Sequence, residues 1–483
     1  MYTGGVLMPV ASLPSRFGSG DFGQESYRFV DDLAEAGFGL WQILPLNPLG
    51  YGNSPYQPFS SFAMDEIYIS LDLLEKKGLL EHVPSYLKDA DAVRYEECRK
   101  FRTKYLRKAY AAFKGDSRFD EFRRQEWVRN YTVFKTFKEL NEGRCWLEWE
   151  DPLMKDFFKQ KNPDLSPYED EIRYQAFLQY MLFEQWNDLK DYANSRHILI
   201  VGDVPFYVGL DSADVWADRS SFLLDRDGHP TFIAGVPPDY FSADGQRWGN
   251  PIYDWKRIEK NDFDFWVKRL GFTKNMFDMT RVDHFRAFDT YWKIPAECPT
   301  AIEGKWIEAP GYKLFDRLFK EMPDLQIIAE DLGDLRPEVY TLRDHYHFPG
   351  MNVIQFTFRT DSENRTAENC LCYTGTHDND TLYHWYRSMS LKQKRAVRKW
   401  MNSHKYKDKD ICMDFFRYAL DSKAKMVVIP AMDILKLDER GRLNTPSTVG
   451  APNWMWRMPS YTAFEKKMPV WKDLLKQYKR TAG

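Results

Sequence analysis

Four apolar stretches of the chain each run into a carboxylate. They end Val-Gly-Asp203-Val-Pro, Arg281-Val-Asp283-His284-Phe-Arg286, Ile-Ala-Glu330-Asp331-Leu-Gly and Tyr-Thr-Gly-Thr-His377-Asp378-Asn379-Asp380. A single carboxylate at a strand end is ordinarily a turn or helix-cap residue. Four of them, one with Arg281 two residues ahead and one with His377 directly ahead, favour a shared site. Carboxylates gathered in one bowl repel, which raises the pKa of one of them. A protonated acid can then stand beside an ionised nucleophile, the requirement of retaining glycoside chemistry. The rival chemistry is a metal centre, with His284, His377 and the aspartates as ligands, but the clustered His and carboxylate spacing of such sites is missing. Neither G-x-G-x-x-G after a strand nor a Walker A sequence is present, so no nucleotide cofactor is expected, and the carboxylate chemistry requires no cofactor.

Aromatic side chains form a second constellation. The segment Ala234–Trp255 holds too much Gly and Pro for a long helix and reads as a loop carrying Tyr240, Phe241 and Trp248. Such rings suit stacking on the flat C–H faces of sugars and exclusion of water; the alternative is that they anchor the loop on the scaffold. Tyr51-Gly-Asn-Ser54-Pro-Tyr56-Gln57 has a similar character.

Positioning these groups requires strands. Eight β-rich apolar runs are expected at Gly5–Leu13, Phe38–Leu46, His197–Val204, Met279–Asp283, Gln326–Glu330, Met351–Phe358, Cys370–His377 and Met426–Met432. Runs that are apolar throughout suit parallel strands buried on both faces. Helical patterns at Ser26–Ala36 and Ile172–Tyr192 separate some of them. The expected class is α/β, an eight-stranded (β/α)8 TIM barrel with inserted, largely helical subdomains. Residues 1–70 would begin the barrel, 71–190 form a mostly helical insert, and 191–483 complete the barrel, with the aromatic loop at 234–255.

The chain has 483 residues, 68 Lys+Arg against 71 Asp+Glu, and 16% aromatic residues. Balanced charge argues against a nucleic-acid binder. No run approaches the roughly 18 apolar residues of a membrane helix, and the first residues do not resemble a secretory signal. Six scattered Cys without a Cys-x-x-Cys pair read as reduced thiols, so a cytoplasmic location is expected.

Longer motifs carry a family resemblance. Ser12-Leu-Pro-Ser-Arg-Phe-Gly-Ser-Gly-Asp-Phe-Gly, Trp41-Gln-Ile-Leu-Pro-Leu-Asn-Pro, Ser54-Pro-Tyr-Gln-Pro-Phe-Ser-Ser-Phe-Ala and Asn453-Trp-Met-Trp-Arg457 together resemble the 4-α-glucanotransferases, called amylomaltase or disproportionating enzyme, of the α-amylase clan. The resemblance runs almost end to end. It implies transfer of α-1,4-glucan segments between maltooligosaccharides by a retaining mechanism. Asp283 matches the nucleophile, Glu330 the general acid/base and Asp378 the carboxylate that stabilises the transition state. Arg281 would pair with Asp283. His377, Asp203, His284, Ser54, Tyr56, Asn453, Tyr240, Phe241 and Trp248 would contact or cover the glucan. Hydrolysis of α-glucans on the same barrel, or glucan binding without catalysis, are the alternatives to be tested. Partners other than glucans, nucleic acid and membrane included, are not expected.

Overall fold

The computed structural model describes residues 2–238 and 242–482. Eight parallel strands form the central sheet: β1 (Thr3–Leu7), β2 (Leu40–Gln42), β3 (Leu199–Val204), β4 (Met279–Val282), β5 (Ile327–Ala329), β6 (Gly350–Val353), β7 (Cys370–Tyr373) and β8 (Met426–Pro430). Their order is β6-β7-β8-β1-β2-β3-β4-β5, so every strand except β5 pairs with the next one in the chain, and β8 pairs with β1. The Ala329 N–H donates to the Pro349 carbonyl at 2.9 Å, which joins β5 to the start of β6 and brings the two ends of the sheet together. All eight expected strands are present. Each is shorter than its apolar run, because a run shows burial and not the backbone conformation. After β6, for example, Ile354–Thr357 is a helical turn, and Ile354 and Phe358 are both buried at i, i+4 spacing. After β1 the chain passes Pro9, which has no N–H to continue a ladder, into a 3₁₀ turn at Val10–Ser12.

Amphipathic helices cover the sheet. Gln24–Ala36 buries Phe29, Val30 and Leu33, and Gly37 ends it in the left-handed region (φ 86°), its N–H bonded to the Leu33 and Ala34 carbonyls. The 27-residue helix Glu169–Ser195 leads into β3 and opens on three acidic residues, which favour its positive end. Between β2 and this helix lie Tyr95–Ala112, Ser117–Phe122 and Glu126–Leu140. The first of these shares a buried cluster with β1 and β2 through Cys98, Leu106 and Ala109. The last gives Tyr131, Phe134 and Phe137 to a second cluster that contains Val282 and Phe285 beside β4.

The segment expected as an aromatic loop at 234–255 is instead largely a β-hairpin. Phe232–Val236 pairs antiparallel with Gln246–Pro251, and two further strands, Thr290–Pro295 and Lys305–Glu308, extend it into a four-stranded sheet. Glycines and prolines hid the hairpin from a reading by composition. Gly235 is required there, because a Cβ at that position would sit 2.1 Å from the Gln246 carbonyl oxygen across the pair. Trp248 is therefore fixed on a strand. Tyr240 and Phe241 lie outside the described residues.

Candidate active site

The carboxyl ends of β3, β4, β5 and β7 bring the four expected carboxylates to one side of the barrel, where barrel enzymes carry their sites. Arg281, 4% exposed on β4, is the hub. Its Nη1 donates to both oxygens of Asp203 at 2.7 and 2.8 Å, and its Nη2 donates to Asp283 Oδ1 at 3.0 Å. Burial alone would pull the guanidinium pKa down. Asp203 and Asp283 overcome that and hold it well above its ordinary value, so the cation persists. The Tyr56 hydroxyl donates to Asp203 Oδ2 at 2.7 Å, and its ring stacks on His377 at 5.0 Å.

Asp203 was expected to touch the glucan. Its side chain is fully buried, and its oxygens accept from Arg281 Nη1 and the Tyr56 hydroxyl. Asp283 and Asp378, at 32% and 44% side-chain exposure, face open space. This contrast separates the supporting carboxylate from those available to a ligand.

Glu330 sits in a different environment. Its Oε2 accepts the His284 N–H at 2.8 Å and its Oε1 the Leu332 N–H at 2.9 Å, which fixes the carboxyl in place. Burial and the neighbouring charge of Asp283 push its pKa up to about 7 against the pull of Arg281 and of these two N–H groups. His284 adopts a left-handed conformation (φ 53°) and so turns its N–H back to Glu330 directly after Asp283. Burial lowers its imidazole to about 4, with Asp283 opposing, so the ring is neutral at pH 7.

Asp378 is held by a residue that sequence reading missed. Asn444 Nδ2 donates to Asp378 Oδ1 at 2.7 Å, and the Asn444 N–H donates to the His377 carbonyl at 3.1 Å. Nothing in the local sequence marks Asn444, a polar residue 66 positions away in a loop. Asn453, expected as a glucan contact, is 5% exposed and uses its amide to staple its own loop: it accepts from the Thr445 N–H and donates to Thr448. Its neighbour Trp454 instead reaches the site, with its ring 5.8 Å from Tyr56 and 5.9 Å from His377.

A cavity of about 200 Å³ is lined by Asp283, His284, Tyr56, Ser54, Tyr207 and Trp248, among others. A groove of about 670 Å³ shares Ser54, Gln57 and Trp248 with it and continues past Asn444 and Trp454. Trp248 meets the His284 ring edge-to-face at 4.9 Å. A polar, aromatic-walled groove leading to the open carboxylate of Asp283 suits a chain of sugar rings. Among the described residues no three His, Cys, Asp or Glu side chains group as a metal site.

Behind β7, Asp433 brackets the loop that carries His377 and Asp378. It accepts the Thr374 hydroxyl at 2.6 Å and the Leu382 N–H at 2.7 Å. Burial pushes its carboxyl up to about 7 from the ordinary 3.8 against both bonds. A carboxyl with a raised folded pKa contributes stability that is complete at low pH and is lost as pH rises through the folded value. Relative to the wild type, Asp433→Asn is therefore expected to gain stability between about pH 4 and about pH 8, read from urea unfolding. A difference that does not change with pH would contradict the assignment.

The 4-alpha-glucanotransferase family model matches residues 8–463. The chain is 41% identical over 473 residues to a 4-alpha-glucanotransferase of Streptococcus pneumoniae, covering 94% of this chain and 92% of the relative. It is equally 41% identical over 478 residues to one from Synechocystis, with 94% and 93% covered. A solved amylomaltase of Streptococcus agalactiae, in complex with acarbose, superimposes with a TM-score of 0.93 at 35% identity, and the match covers all of both chains.

Proposed function

Because the chain belongs to the 4-alpha-glucanotransferase family, we propose that Asp283, Glu330 and Asp378 carry a retaining transfer of α-1,4-glucan segments between maltooligosaccharides. In the first half-reaction Glu330 gives its proton to the glycosidic oxygen while an Asp283 oxygen attacks the anomeric carbon. The C–O bond to the leaving chain breaks, that chain departs with a free 4-hydroxyl, and a β-linked glycosyl ester remains on Asp283. In the second half-reaction Glu330, now a carboxylate, takes the proton of an acceptor 4-hydroxyl as its oxygen attacks the same carbon. The ester bond breaks and the α link is restored, so two inversions give net retention. Asp378, steadied by Asn444, accepts hydrogen bonds from sugar hydroxyls as charge develops on the ring.

One observation carries this reading: the two carboxyls at the β4 and β5 ends sit in opposite electrostatic settings. Asp283 is partly open and accepts a hydrogen bond from the persistent Arg281 cation, the setting of a nucleophile held in place. Glu330 is buried and raised to about 7, the setting of an acid that is protonated when it is needed and can return as a base. The groove supports the same reading, since Trp248, Trp454 and Tyr56 offer rings along a polar path.

The test is incubation with maltotriose while product lengths and total reducing ends are followed. Longer and shorter glucans at a constant count of reducing ends are expected. A rising count without longer products would make the activity hydrolysis, and no change with maltotriose or longer glucans would leave a binding protein. Trp248 also offers a separate check. Trp248→Ala opens the wall beside His284 to water, and the ratio of hydrolysis to transfer is expected to rise severalfold. An unchanged ratio would limit Trp248 to binding or packing.

A further inference from the structure

The groove of about 670 Å³ runs between the hairpin strand Gln246–Pro251 and the loop that follows Asn444. Several residues of its lining have a left-handed backbone. Gly52 (φ 69°), Gly245 (φ 69°) and Gly450 (φ 85°) adopt it without strain, but Trp454 and Ser447, both at φ 65°, carry a Cβ. For Trp454 the strain has a visible return, since its ring packs beside Tyr56 and His377. For Ser447 the fold offers none.

Ser447 is third in the turn Thr445-Pro446-Ser447-Thr448, which the Thr448 N–H closes on the Thr445 carbonyl at 3.2 Å. The Pro446 ring fixes the second position near φ −65°, and a left-handed third position ordinarily takes glycine. The turn does not depend on the serine side chain. Asn453 staples it from both ends, accepting the Thr445 N–H at 3.0 Å and donating to the Thr448 hydroxyl at 2.9 Å. Ser447 is exposed, and its hydroxyl makes no hydrogen bond among the described residues. The other hydroxyls of the groove are engaged. Ser54 accepts the Tyr56 N–H at 3.3 Å, Ser242 donates to the Gly245 carbonyl at 2.7 Å, and Thr448 donates to the Thr445 carbonyl at 2.6 Å. Strain kept where glycine would relieve it points to a role outside the fold.

We propose that Ser447 is a specificity-determining residue, whose hydroxyl, held at the tip of a stapled turn, hydrogen-bonds a hydroxyl of a glucan lying in the groove. A serine hydroxyl both donates and accepts, as sugar hydroxyls do, and so matches them without charge. Ser447 lines the groove and not the cavity that holds Asp283, so the sugar it meets is not the one that reacts. Glucans long enough to reach it gain affinity. The inference rests on the glucan reading of the site.

The test is a calorimetric titration of maltoheptaose into the full-length Asp283→Asn protein, whose turnover is too slow to consume the ligand. Ser447 is kept, or changed by Ser447→Ala or Ser447→Gly. Each change is expected to raise the dissociation constant about three- to tenfold, the weight of one hydrogen bond. Similar losses are the signature, because alanine keeps the strained turn and glycine relaxes it, while both lack the hydroxyl. An unchanged constant in both variants would overturn the proposal. So would a loss in Ser447→Gly alone, which would trace the effect to the freedom of the turn. No binding of maltoheptaose even with Ser447 in place would instead remove the glucan reading, and this contact with it.

Discussion

Asp283→Asn is expected to lower turnover of maltotriose on the order of 10⁴-fold or more, with the protein still folded and still binding glucan. The amide is a poor nucleophile, so the path through a glycosyl ester closes. The loss falls on chemistry and not on structure, because Arg281 keeps its two bonds to Asp203 and remains fixed on β4. Asp283 is partly open to solvent, so the substitution leaves no buried charge newly unpaired inside the barrel. The checks are a thermal unfolding midpoint near that of the wild type and a dissociation constant for maltotriose within a few-fold of it. Near-normal turnover in a folded variant would remove Asp283 from the nucleophile's role.

Glu330→Gln is expected to cost about 10²- to 10⁴-fold on maltotriose, because neither protonation of the leaving oxygen nor activation of the acceptor remains. The pH profile gives the sharper signature. With a pKa of about 7 in the free enzyme, Glu330 is protonated below that value and ionised above it. The first half-reaction needs the protonated form, so kcat/KM for maltotriose is expected to fall as pH rises through about 7. In Glu330→Gln that alkaline limb should vanish. With α-maltotriosyl fluoride, whose leaving group needs no proton, formation of the intermediate should retain far more of its rate than it does with maltotriose. An unchanged alkaline limb in Glu330→Gln would assign the limb to another group.

The barrel was readable in the sequence because parallel strands sealed on both faces must be apolar along their length. Ile200 and Val201 in β3, Ile327 and Ile328 in β5, and Val427, Val428 and Ile429 in β8 are all buried. The carboxylates stood out for the same reason, as polar breaks at the ends of such runs. The second sheet was not readable: Lys305–Glu308 is mostly exposed and short, and the hairpin from Phe232 to Pro251 mixes glycine, proline and polar residues. Long-range bonds set the rest. The family resemblance implied the pairing of Arg281 with Asp283, but the stronger hold of Arg281 on Asp203, 78 residues earlier, depends on the register of β3 against β4. That register places Asp203 directly opposite Arg281, where its side chain is buried. Likewise, loop closure around Asp378 made Asn444 its partner and left Asn453 as a staple, a distinction that residue type could not make.

The most direct measurement is mass spectrometry of Glu330→Gln after brief exposure to α-maltotriosyl fluoride. Without its base the variant should accumulate the ester, and a peptide containing Asp283 should gain the mass of one maltotriosyl group, which added azide, an anion that needs no base, then removes as a maltotriosyl azide. Label on a different carboxylate, or steady release of fluoride with no peptide labelled at any time, would contradict a covalent transfer through Asp283.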